Sequence, residues 1–233
     1  MKIDRLLITG VFLLGFMPGC TKQLAYNLPE WKVGDWAEYE VQSEQYGPRT
    51  IRYAITGTDT LHNEPYYWLE MTATMRGSQI VNKMLVPYGY RGVAERMIVK
   101  FADQDAIEMP PGDELSWYPS DENRPYVYLE EEIDDGRLKD TTLVLSAGEF
   151  ACISAKVYDI RHNKVGIVVG DSIENRMVSD TTEVQVWVAD SIPVIGVAVL
   201  KSEREEMKLT AFGHDAKTAV TGEVKPLESV VFE

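Results

Sequence analysis

From Tyr66 to Arg76 the chain alternates strictly. Tyr67, Leu69, Met71, Ala73 and Met75 fall on one side, and Trp68, Glu70, Thr72, Thr74 and Arg76 on the other. Successive side chains of an extended strand point to opposite faces, so a period of two dictates a strand with one apolar and one polar face. A helix would spread both sets around its axis. Gly77-Ser78 then offers a tight turn, and Gln79 to Val86 returns as a second strand, giving a hairpin. That mate brings Ile80, Met84 and Val86 to the apolar face in one register, or Val81 and Leu85 in the register shifted by one.

The same period recurs along the chain. Trp36 to Gln42 sets Ala37, Tyr39 and Val41 against Glu38, Glu40 and Gln42, and Thr182 to Ala189 sets Val184, Val186 and Val188 against Glu183, Gln185 and Trp187. Further strands are predicted at Arg49–Thr56, Leu138–Leu145, Glu149–Ile160, Lys164–Val169, Ile195–Ser202 and Met207–Phe212. Loops are predicted at Thr58–Thr60 with His62–Pro65, at Asp103–Asn123 with Pro110-Pro111-Gly112 and Pro119, and at the polar Ser172–Asp180. Only Tyr90–Phe101 repeats at helical spacing, through Val93, Ala94, Met97, Ile98 and Phe101. Short connections between roughly nine or ten strands imply antiparallel pairing. The expected fold is mainly β: a large curved antiparallel sheet, half-barrel or open barrel, with a short helix or lid segments.

The leader gives an address. Lys2 and Arg5 precede the apolar run Leu6–Met17, which suits a secretory signal and is too short to span a bilayer. It runs into Met17-Pro18-Gly19-Cys20, which resembles the bacterial lipobox, with Met17 where Leu is usual and Pro18 where Ala or Ser is usual. The resemblance implies cleavage after Gly19 and acylation of Cys20, and so a membrane held through an N-terminal lipid anchor. Thr21, rather than Asp, follows Cys20, which favours the outer membrane facing the periplasm over the inner membrane. The chain then divides into a signal peptide at 1–19, a tether at 20–30, one curved-sheet domain at 31–213 and a C-terminal tail at 214–233.

Charge excludes some partners. The 233 residues carry 23 Lys+Arg against 37 Asp+Glu, a net charge of −14, which argues against nucleic acid as a partner. Catalytic constellations are absent from the pattern. His62, His162 and His214 fall in predicted loops and none pairs at helical ligand spacing. Glu130 to Asp135 lacks the spaced carboxylates of a calcium loop and reads as a solvated turn. Ser146-Ala147-Gly148 is not a nucleophile elbow. Cys152, with Cys20 acylated, has no intramolecular partner and reads as a buried thiol. No metal or cofactor is expected, and no enzyme.

Apolar strand residues are the remaining feature. Tyr67, Leu69, Met71, Met75 and Met84 form a flexible, Met-rich face that fills a core or lines a ligand cavity under the curved sheet. The order Val33–Tyr39, Tyr67–Met71 and Lys83–Pro87, with Val186–Val188, Ile192–Val194, Gly196-Val197 and Leu209–Gly213, resembles the superfamily of lipoprotein carriers that includes LolA and LolB. That resemblance implies an unclosed barrel with an apolar cavity and helical lids, although this chain has few helical segments. Three functions stay open: binding a lipid, a lipidated partner or another apolar ligand; a structural or assembly lipoprotein holding another envelope protein; and a hydrolase. The anchor is tested directly. Cys20→Ala should shift the protein out of the membrane fraction and remove the acyl mass from its N-terminus, as read by fractionation and intact mass spectrometry.

Overall fold

A computed structural model describes residues 29–44, 46–88, 94–109, 139–169 and 172–227, with the backbone alone over 157–181. Its strands are β1 (Trp36–Ser43), β2 (Arg49–Leu61), β3 (Glu64–Met75), β4 (Ser78–Pro87), β5 (Arg96–Phe101), β6 (Ala106–Met109), β7 (Lys139–Leu145), β8 (Gly148–Val169), β9 (Ser172–Val188), β10 (Val197–Ser202), β11 (Glu205–Gly213) and β12 (Val224–Pro226). They form one open sheet in the order β12-β6-β5-β4-β3-β2-β1-β11-β10-β9-β8-β7. Every neighbouring pair is antiparallel except β12 with β6. The mainly β, curved and unclosed sheet expected from the alternation is the observed fold.

The β3–β4 hairpin sets its register by burial. Tyr67 faces Val86, Leu69 faces Met84 and Ala73 faces Ile80, which is the first of the two registers expected. Arg76 at φ 50 and Gly77 at φ 82 make its turn, a left-handed pair that matches strand twist. β1 adds Ala37, Tyr39 and Val41, β2 adds Ile51, Tyr53 and Ile55, and all six are buried. The sheet curls so that this face meets the apolar face of β8–β11. Both belong to one core cluster, in which Phe150 of β8 meets Phe212 of β11 with ring centroids 5.9 Å apart.

The concave side is filled by the chain itself. The loop between β9 and β10 folds inward and buries Ile192, Val194 and Ile195 completely or nearly so. At about 1.5–3 kcal/mol for each aliphatic side chain removed from water, that loop is held by its own burial. Trp31 donates its indole N–H to the Val194 carbonyl at 2.8 Å, and the Tyr39 hydroxyl donates to the Val197 carbonyl at 3.0 Å. Val194 sits at φ 67, which a β-branched residue adopts only when its surroundings force it.

The opposite, polar face is crossed by residues 214–227. This strap starts at β1 and ends as β12 beside β6, passing over the strands between. His214 Nδ1 lies 2.7 Å from Asp35 Oδ1, and Trp36 Nε1 donates to Asp215 at 2.8 Å. Glu70, buried in the centre of β3, accepts from the Thr218 hydroxyl at 2.6 Å and from the Ala219 amide at 2.9 Å. Lys83 donates to Thr218 at 3.0 Å and Lys100 to the Ala219 carbonyl at 3.4 Å. The segment that the fading sequence pattern suggested as a tail is therefore docked on the sheet as far as Leu227.

Three sequence expectations are corrected. The helix over Tyr90–Phe101 is replaced, from Arg96 onward, by β5, which pairs Ile98 with Lys83 and Phe101 with Ile80; residues 89–93 lie outside the described residues. The loop at Thr58–Thr60 is the continuation of β2, paired with Pro65–Tyr67. The polar loop at Ser172–Asp180 is strand, and with it the separate strands Glu149–Ile160 and Lys164–Val169 merge into one β8. Within Asp103–Asn123, Ala106–Met109 is strand and 110–123 lies outside the described residues, as does the acidic run at 130–135.

Gly34 joins the N-terminal segment to the strap. Its φ is +101, and a Cβ there would meet the His214 carbonyl oxygen at 2.5 Å, a backbone atom that cannot swing away. Gly34→Ala should destabilise the fold by about 2–4 kcal/mol, combining left-handed strain with that clash. Urea unfolding of the two proteins checks it.

Candidate functional site

The residues expected to line a ligand pocket are brought together, and most are packed. Leu69 is fully buried, Met71 is 2% exposed and Met84 is 7% exposed, all within the main core cluster. Tyr67 is half-buried at its edge, with its ring edge-on to Trp31 at 5.5 Å. Met75 lies apart at the far end of β3, partly exposed beside Ile80 and Phe101, which pair across β4 and β5. The space in front of these side chains is taken by Trp31 and the β9–β10 loop. Cys20 lies outside the described residues.

Two clefts open elsewhere. The larger, about 380 Å³, is a shallow depression at the β1–β2 and β10–β11 turns. Beside it Arg49 and Glu205 form an ion pair at 2.6 Å, with side chains 9% and 15% exposed, capping that end of the core. Burial pushes the nearby Tyr53 hydroxyl well above the ordinary phenol range; the Glu205 charge adds to this and Arg49 opposes it. The smaller cleft, about 140 Å³, lies between the strap and the polar faces of β1–β4.

That polar face carries a row of cations against indole rings. The Arg52 guanidinium stacks 4.4 Å from the Trp36 ring centroid. Trp68 has Lys83 at 5.3 Å and Arg96 at 5.4 Å. Burial pulls the Lys83 ammonium below its ordinary range while Glu70 pulls it back up. Glu70 could have been singled out in the sequence only as the acid among Trp68, Thr72 and Thr74 on the polar face; its partners on the strap lie almost 150 positions away.

The other singled-out residues do not converge. His62 makes the β2–β3 turn at φ 54, and His214 holds the strap to Asp35. Among the described residues no three His, Cys, Asp or Glu side chains gather as metal ligands. Cys152 is a buried free thiol, and burial raises it above the ordinary thiol range. Ser146 and Ala147 form the β7–β8 turn.

The longest feature is a two-stranded ribbon. β9 pairs with β10 no further than Val184, whereas β8 and β9 continue to pair from Tyr158–Glu183 to Val169–Ser172. This part, with no third strand beside it among the described residues, spans roughly 40 Å at about 3.3 Å per residue. Strand directions fix where it points. Trp31, Tyr88 and the β9–β10 loop stand at one end of the sheet, where the Tyr88 hydroxyl donates to the Pro29 carbonyl. The ribbon leaves from the other end, beyond Ser202.

No protein-family model matches the chain, and no curated protein matches it. Two solved structures are similar in shape. One is a candidate lipoprotein from Parabacteroides distasonis ATCC 8503, 10% identical, covering 80% of this chain and 97% of its own, with a TM-score of 0.38. The other is a candidate exported protein with a YmcC-like fold from Bacteroides fragilis NCTC 9343, 9% identical, covering 80% and 98%, with a TM-score of 0.36.

Packing makes a definite demand of the Met-rich face. With its side chain at 2% exposure among Leu69, Tyr53 and Met84, Met71→Ala should cost about 2–5 kcal/mol through lost transfer and a residual cavity. A pocket-lining methionine, already touching solvent or ligand, would cost under about 1.5 kcal/mol. Chemical denaturation distinguishes the two.

Proposed function

We propose that this chain is a lipid-anchored envelope protein that serves as an assembly or docking factor, engaging another envelope protein through the β8–β9 ribbon. The observation that carries this reading is the placement of the ribbon. It leaves the end of the sheet opposite Pro29, where the tether to Cys20 begins. An acylated Cys20 holds the tether end near the bilayer, so the ribbon is directed away from the membrane that anchors the protein. Among the described residues no third strand pairs with this part of β8 and β9, and a two-stranded ribbon with open edges suits pairing with a strand of another protein.

The filled concavity supports the same choice over the carrier reading. A carrier needs an empty apolar volume, and here Ile192, Val194 and Ile195 occupy the place of a ligand. The hydrolase reading draws no support from the described side chains, which bring no histidine and nucleophile together. The outer membrane, facing the periplasm, is the proposed location, on the strength of Thr21 after Cys20.

Shortening the ribbon tests the proposal in cells. Replacing residues 161–180 with Asn-Gly leaves the core members of β8 and β9, which come from Phe150–Ala155 and Val184–Val188, in place. The shortened protein should fold, stay in the membrane fraction and fail to complement loss of the full chain. Photo-crosslinks from ribbon positions to a discrete envelope protein should accompany the full-length ribbon. Full complementation by the shortened chain, together with a stoichiometric lipid on the detergent-extracted protein in native mass spectrometry, would replace docking with carriage.

A further inference from the structure

The smaller cleft holds a guanidinium with an unmet hydrogen bond, stacked on Trp36 and, with Lys217, in the field of the Asp215 carboxylate. Arg52 lines it from β2, and its buried Nε makes no hydrogen bond. Glu38 stands opposite Arg52 in the β1–β2 register but forms no ion pair with it among the described residues. Glu70, the other carboxylate on the wall, has both oxygens engaged by the strap. A buried, charged N–H donor left without an acceptor is costly. Buried donors in native structures are normally bonded to protein or to ordered water, so this Nε–H is a donor open to an acceptor in the cleft.

The remaining walls suit one kind of acceptor. Lys217 of the strap brings a second cation to the cleft, and Thr72 and Thr74 of β3 bring hydroxyls. Thr72 is the register partner of Arg52. Two cations and two hydroxyls around about 140 Å³ match a compact oxyanion, and a guanidinium fork matches a carboxylate in particular. The Glu38 carboxylate on the same wall repels a dianion more than a monoanion, which favours carboxylate over phosphate. In a chain of net charge −14, the cleft lining sets Arg52 and Lys217 against Glu38 and Glu70. We propose that this cleft binds a carboxylate group, of a small organic acid or of a peptide C-terminus, between Arg52 and Lys217. The site exists only when the strap is docked, since Lys217 comes from the strap.

Titration of the purified full chain with sodium acetate, at ionic strength held constant with NaCl, tests this by NMR of the Arg52 Nε–H and Trp36 Nε1–H resonances. Both should shift saturably with acetate. N-acetyl-glycyl-glycine and its C-terminal amide form the second arm. The acid should bind and the amide should not, and tighter binding of the peptide acid than of acetate marks a chain terminus as the ligand. Arg52→Gln should abolish the response, and Lys217→Gln and Thr72→Val should each weaken it about three- to tenfold. Arg204→Gln, in the other cleft, should leave it unchanged. If Arg52→Gln does not fold, the Lys217 and Thr72 variants carry the test. No saturable shift in the parent chain, equal binding of acid and amide, or undiminished binding by the folded Arg52, Lys217 and Thr72 variants overturns the proposal. None of these results depends on the ribbon.

Discussion

An open twelve-stranded sheet has one apolar face and no helical layer among the described residues to cover it. That face must be buried or the sheet aggregates, and the whole architecture follows from the solution adopted. The sheet curls until β8–β11 pack against β1–β4, and the β9–β10 loop plugs what curvature leaves open. Tyr39, Tyr53 and Leu69 can be completely or almost completely buried only because Val194 tolerates a left-handed backbone beneath Trp31. Among the described residues, a curved sheet with an internal plug leaves little room for a second occupant on its concave side.

The polar face obeys a different constraint. Glu70 is 3% exposed in the middle of that face, and a buried carboxylate is tolerated only with its oxygens bonded. Thr218 and Ala219 supply those bonds, so burial of the charge and docking of the strap require each other. The first end of the strap repeats the logic, with Asp35 at 3% exposure beside His214, whereas at the other end Lys225 donates to Asp105 in an exposed pair. Removing one partner would leave a charge buried without compensation, which is far worse than never having buried it.

The sequence made the β3–β4 hairpin legible because one face of that hairpin is core and the other is not, and burial of that kind writes a period of two. It misled at β5. Met97, Val99 and Phe101 do alternate, but Val93, Ala94, Met97, Ile98 and Phe101 also satisfy helical spacing, and six residues are too few to separate the periods. Ser172–Asp180 failed for the opposite reason: the sequence SIENRMVSD carries no apolar alternation, so strand looks like loop. The strap left no local signal, since its contacts join positions about 120 to 180 apart in the chain. The candidate carboxylate site was illegible for the same reason. Arg52 and Thr72 share a face by strand pairing, and Lys217 arrives only through the strap.

Edges show how the molecule distributes exposed backbone. At one end of the sheet β6 has four residues and β12 three, short enough to offer little to an incoming strand. At the other, the β7–β8 hairpin curls toward β11, so that Leu143 and Leu145 reach the core while Val144 points outward at 79% exposure. Both margins of the main sheet are thus blunted by shortness or curvature. The ribbon has neither protection. Its strands continue as a pair for twelve positions past the last flanking strand, and isolated two-stranded ribbons are marginal in water unless something else pays their ordering entropy. Among the described residues, the edges of the main sheet are shielded and those of the ribbon are open, at the end of the sheet opposite Pro29. The same backbone groups that make the ribbon marginal alone would stabilise it once a partner strand is added.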